Sequence, residues 1–119
     1  MHATLEQEAE MIRHVVMWEL HDPAHAESFR NALLPCARLV EGQRGYEVAL
    51  RSSTLPASVH VCLIATFDDA EALRRYQQHP VHQAITERIG PLRKARHLLD
   101  YQVADEAHTV EATELRLVV

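Results

Sequence analysis

Apolar and polar side chains alternate from Met11 to Leu20, and the run is rich in β-branched and aromatic residues, the pattern of a strand. Ile12, His14, Val16, Trp18 and Leu20 share one face, a core face with a histidine set into it. Arg13, Val15, Met17 and Glu19 share the other, which is more apolar than a lone solvated sheet face needs. The period then changes. Asp22 and Pro23 suit an N-cap and a first helical position, and Phe29, Ala32, Leu33, Cys36, Ala37 and Val40 recur at helical spacing. The pattern predicts a helix to about Val40, kinked or split at Pro35, and ended by the glycines of Glu41–Gly45. Tyr46–Arg51 alternates again, with Tyr46, Val48 and Leu50 on one side. Residues 52–58 read as a loop, and Val59–Phe67 as a long strand with Val59, Val61, Leu63, Ala65 and Phe67 on a continuous apolar face. Asp68 and Asp69 cap a helix whose stripe is Ala72, Leu73 and Tyr76. Pro80 interrupts it, and a further helix carries His82, Ile85, Ile89 and Leu92 at spacings of 3, 4 and 3. Gly90-Pro91 weakens that helix near its end, and Arg96–Val103 is the last strand.

The order is strand, helix, strand, strand, broken helix, strand. That βαββαβ order is an α+β, ferredoxin-like arrangement: an antiparallel four-stranded sheet with helices on one face. The domain spans residues 11–104, after an N-terminal extension, 1–10, and before a C-terminal tail, 105–119, able to add an edge strand. The sheet face away from the helices, with Val15, Met17, Cys62 and Ile64, is too apolar to stay in water. A homodimer that stacks two such faces is the economical arrangement.

Composition narrows the reading only a little. A chain of 119 residues has room for one domain with a real core, and its 47% apolar and 24% charged content is that of a globular protein. A net charge of -5 argues against nucleic acid and anionic membrane as partners. No apolar run approaches the roughly 20 residues a bilayer span requires, and the acidic start does not resemble a signal peptide. Cys36 and Cys62 fit reduced core thiols of a cytoplasmic protein.

The candidate chemistry lies in Tyr76-Gln77-Gln78-His79-Pro80-Val81-His82. A residue before proline leaves the helical region, so His79 closes one helix and His82 falls in the first turn of the next. The positive end of that helix disfavours imidazolium and keeps the His82 ring neutral, able to accept a proton. Tyr76, His82 and His14 all face the sheet–helix interior. One phenol and two imidazoles need no cofactor for proton chemistry. His82 would take a proton next to a carbonyl, Tyr76 would hydrogen-bond to it or to the developing enolate, and His14 would orient the substrate. His79, Trp18, Leu63 and Ile85 would line or orient the pocket. Each has a blander reading as a capping or core residue. A metal held by His79, His82 and His14 is the other possibility, but Pro80 puts two of those rings on different helices, and no metal site is expected.

Ile12-Arg13-His14-Val15-Val16 in the first strand, Phe67 ahead of an acidic-capped helix, Tyr76-x-x-His79-Pro80-x-His82, and Asp100-Tyr101 in the last strand resemble the stress-responsive A/B barrel (Dabb) family, over roughly residues 11–103. The resemblance implies a dimeric α/β barrel in which two sheets enclose an inner space, with a cavity in each subunit between sheet and helices. In a plant polyketide cyclase of the family the last histidine of the run is the general base and the tyrosine its partner. Those positions are His82 and Tyr76 here, and the first-strand histidine is His14. Two departures, the basic stretch Pro91–Arg96 and the Pro35 helix break, argue against a long hydrophobic polyketide substrate. The functional expectation is a dimer with a small-molecule cavity and cofactor-free acid–base chemistry of cyclase, lyase or isomerase type. The alternatives are a non-enzymatic ligand-binding or stress-response dimer and, by fold analogy alone, a cofactor-independent monooxygenase.

Overall fold

The computed structural model describes residues 10–103, so the proposed N-terminal extension and the edge strand in the tail lie outside the described residues, Glu10 apart. The first alternating run forms β1 (Ile12–Leu20), with His14, Val16, Trp18 and Leu20 buried. Asp22 accepts a hydrogen bond from the Ala24 N–H and opens a 3₁₀ turn (Pro23–His25), which leads into α1 (Ala26–Leu33). The helix foreseen as far as Val40 stops there. Pro35 has no N–H for the Asn31 carbonyl, and its ring crowds that carbonyl, so the chain tightens into a 3₁₀ segment (Leu34–Arg38).

β2 (Gln43–Leu50) starts earlier than its apolar pattern suggests. The Gln43 side chain explains this: it accepts from the N–H groups of Leu39 and Val40 and donates to the Cys36 carbonyl, fastening the strand to the turn before it. β3 (Val61–Phe67) follows the loop, then α2 (Ala70–Gln78), α3 (Pro80–Ile89), a 3₁₀ turn (Gly90–Leu92) and β4 (Arg93–Gln102). Asp69 caps α2 by accepting from the Ala72 N–H at 2.8 Å. Asp68, its neighbour, instead pairs with Arg44 of β2.

The sheet order is β2-β3-β1-β4, antiparallel throughout, which is the ferredoxin-like topology. All helices lie on one face. Val16, Trp18, Val61, Leu63, Ala65 and Phe67 of the sheet meet Phe29, Leu33, Leu73, Ile85 and Ile89 of the helices in one core. The opposite sheet face is open, with Met17, Leu99 and Tyr101 exposed and Val15, Cys62 and Ile64 half-buried.

The helical layer also stops short of β4. Val16 and His14 are buried, yet their register partners Leu98 and Asp100 on β4 are exposed. The border of the helical layer therefore runs between β1 and β4, and His14 sits on it.

Candidate functional site

Three elements assemble the site. His14 is near the start of β1 and 2% exposed; Tyr76 ends the apolar stripe of α2; His82 stands in the first turn of α3. The Tyr76 and His82 rings lie 4.5 Å apart, tilted, and the His14 and Tyr76 rings 6.2 Å apart, edge to face. Phe67 packs against both His14 and Tyr76, so the imidazole of His14 is walled by aromatic rings. Such contacts contribute about 0.5–1.5 kcal/mol each beyond the area they bury and hold the rings in fixed relative positions.

The α2–α3 junction explains why His82 points inward. His79 takes an extended backbone (φ -64°, ψ 135°), as a residue before proline must, and Pro80 starts α3. The His79 ring caps α3, its Nδ1 accepting from the Val81 N–H at 3.1 Å. That bond gives His79 a structural duty and removes Nδ1 from any ligand set. Among the described residues no three His, Cys, Asp or Glu side chains gather as metal ligands.

His82 is only half-buried as a residue, but its Nδ1 is buried and has no hydrogen-bond partner among the described residues. Burial is the largest influence on its basicity and pushes the pKa below the usual histidine value. The Gln77 backbone works the other way, while His14, Arg96 and His79 add to the lowering. The sequence points to the helix terminus as the cause; in the structure the first cause is desolvation by burial. The neutral ring keeps one hydrogen and one lone pair at pH 7.

Tyr76 does not make the expected hydrogen bond to His82. Its hydroxyl lies 3.1 Å from that of Tyr46 on β2, and Tyr46 is also 3.1 Å from the Leu33 carbonyl. A carbonyl only accepts, so Tyr46 donates to Leu33 and Tyr76 donates to Tyr46. Burial raises both phenols, Tyr76 to about 12 and Tyr46 further, so both stay protonated in neutral solution. Tyr76 thus offers His82 the side of its ring, with its hydroxyl hydrogen already engaged.

Two residues of the site escaped the sequence reading. Asp100 on β4 is the register partner of His14, and its carboxylate lies 2.5 Å from His14 Nδ1. A carboxylate at Nδ1 fixes the tautomer and aims Nε2 away from it, the arrangement that orients a catalytic imidazole. Asp100 is a polar residue on the helix-facing side of its strand, a signal that becomes legible only once the β1–β4 register is known. Tyr46 falls on the predicted core face of β2, where an aromatic residue looks like packing. Of the remaining candidates, Trp18 packs edge-on against Phe29 with ring centres 5.0 Å apart, and Leu63 and Ile85 are buried in the core. Four clefts of about 130 to 320 Å³ are lined by other side chains than His14, Tyr76 and His82.

The family model described as the stress responsive A/B barrel domain matches residues 12–103. An uncharacterized protein of Streptomyces coelicolor is 34% identical over 79 residues, covering 62% of this chain and 81% of that protein. Among solved structures, a Dabb family protein with a ferredoxin-like fold from Mesorhizobium loti is 27% identical, with a TM-score of 0.67 and coverage of 81% of this chain and 99% of the other. A dimeric ferredoxin-like protein of unknown function from Thermobifida fusca has a TM-score of 0.72 at 21% identity, over 80% of this chain and 92% of that one.

Proposed function

Since the chain belongs to the stress-responsive A/B barrel domain family, we propose that it works as a homodimer and performs cofactor-free acid–base chemistry on a small carbonyl compound. The observation that carries the reading is His82: a neutral imidazole whose buried Nδ1 has no hydrogen-bond partner among the described residues, held against Tyr76 and next to the His14–Asp100 pair. A buried polar atom without a partner costs stability, and such atoms persist where a bound molecule supplies the partner. The substrate enters along the exposed β4 margin, past Leu98 and Asp100. His82 takes the proton next to the carbonyl. His14, whose Nδ1–H donates to Asp100, presents its Nε2 lone pair to the substrate and orients it by accepting a hydrogen bond there. Tyr76 positions His82 through its ring. Arg96, close enough to lower the His82 pKa, favours an anionic or enolate-like group.

The dimer forms through the open sheet face, where Met17, Leu99 and Tyr101 are exposed and Val15 and Ile64 half-covered. The solved relative from Thermobifida fusca is itself described as dimeric. No helix among the described residues is long and apolar enough to cross a membrane, and the thiols of Cys36 and Cys62 are free, as fits a reducing compartment such as the cytoplasm. A second reading, a ligand-binding dimer without chemistry, is favoured by one observation: the Tyr76 hydroxyl is already spent on Tyr46.

A thermal-shift panel of small aromatic ketones and 1,3-dicarbonyl compounds separates the two readings, because binding raises apparent stability by mass action. The enzyme reading expects stabilising compounds that are also converted, with conversion abolished in His82→Ala while the variant stays folded and dimeric. Stabilisation without conversion makes the protein a binder. Equal loss of folding in the variant makes His82 structural.

A further inference from the structure

A cleft lies at the end of the sheet away from His82. It has a volume of about 320 Å³ and is lined by Pro23, Ala26, Leu50, Arg51, Ser53 and His60. The proposed acid–base site lies near the start of β1, where Ile12 pairs with Phe67; this cleft lies past the other end, where Trp18 pairs with Val61. We infer that it binds a small organic carboxylate, with Arg51, His60 and Ser53 holding the charged end and Pro23, Ala26 and Leu50 the apolar body.

Three features support this. First, the polar lining is one-sided: a guanidinium, an imidazole and a hydroxyl, with no carboxylate in the lining. Arg51 is exposed and makes no salt bridge among the described residues. Second, the His60 ring is fixed. Its Nδ1 accepts from the Leu20 N–H at 3.0 Å, so the neutral ring carries its hydrogen on Nε2 and has only a donor to offer a ligand. Third, the backbone that carries His60 and Arg51 is held in place before anything binds. The His60 N–H donates to the Trp18 carbonyl at 2.8 Å, and the Arg51 N–H donates to the His60 carbonyl at 3.0 Å, closing the loop between β2 and β3 at its base. The His60 donor, fixed in advance, loses little entropy on binding. The volume is at the lower end of the range for small-molecule pockets, about 300–1,000 Å³, and suits a molecule the size of benzoate. The planar fork of Arg matches a carboxylate better than a spherical anion.

The test is a titration of the full chain followed by amide correlation NMR, with benzoate, benzamide and inorganic phosphate as probes. Saturable benzoate shifts at Arg51, Ser53 and His60 are expected, with benzamide at least tenfold weaker because it lacks the charge. Arg51→Gln is expected to weaken benzoate at least tenfold without moving Tm, and His82→Ala to leave it unchanged. The inference is overturned if benzoate causes no saturable shifts at the cleft, if benzamide binds equally well, or if the Arg51 variant binds as the parent does. Phosphate binding as tight as benzoate would overturn the carboxylate assignment in favour of a simple anion site.

Discussion

His82 links protonation to folding. Its folded pKa lies below the unfolded value of about 6.5, so between those two values the unfolded chain binds more protons. The stability this contributes is fully present above about pH 6.5 and is lost as pH falls through the folded pKa. His82→Gln, which cannot take up that proton, is therefore expected to show a shallower fall of Tm between pH 7 and 5 than the parent. Identical pH profiles for the two would show that burial does not tune this ring. The tyrosine pair makes a separate prediction. Tyr46→Phe removes the acceptor of the Tyr76 hydroxyl and the donor to the Leu33 carbonyl. Stranding buried groups of this kind costs about 1–3 kcal/mol, measurable by urea unfolding. Asp100→Asn keeps the shape beside His14 and removes the charge; turnover is expected to fall at least tenfold with little change in Tm, as for a residue that positions an imidazole.

At the level of elements, the turn into β2 is the most tightly constrained. Gly42 has φ +94°, a conformation that side chains rarely adopt, and a Cβ there would lie 2.9 Å from the Cβ of Ala72 on α2. The Gly42 carbonyl also accepts from the Asp68 N–H at 2.8 Å, so the turn has no room to move. Gly42→Ala is expected to destabilise by more than about 1 kcal/mol, read as a lower urea midpoint, with the fold retained. Elements were the scale at which the sequence was most legible. The alternation around His14, the Asp22-Pro23 and Asp69 starts and the His79-Pro80 break each reflect local chemistry, and each appears in the structure where the pattern puts it. What stayed illegible depends on partners distant in sequence. Asp100 meets His14 across 86 residues, and Tyr46 meets Tyr76 across 30. No local pattern encodes either pair. The strand starts at Val61 and Arg93 shifted for the same reason, since the His60 side-chain bond to Leu20 and the irregular register at Glu19/Leu20 are tertiary.

For the molecule as a whole, both uncovered surfaces have consequences. The open sheet face exposes 61% of Leu99 and 40% of Met17. A charge placed on such a face opposes stacking without disturbing the core, so Leu99→Lys is expected to sediment as a folded monomer where the parent sediments as a dimer. An unchanged dimer would place the contact elsewhere. The other surface, the β4 margin, is the route by which a small molecule would reach His14 and His82. Whether His82 acts as a base there is read most directly from deuterium uptake at the α-carbon of an aryl ketone selected by the thermal-shift panel, followed by NMR in D₂O from pH 5 to 8. Exchange that the protein accelerates, that rises with pH to a plateau with a midpoint below about 6.5, and that disappears in folded His82→Gln is the predicted result. Exchange no faster than in buffer, or equally fast in the variant, would contradict it.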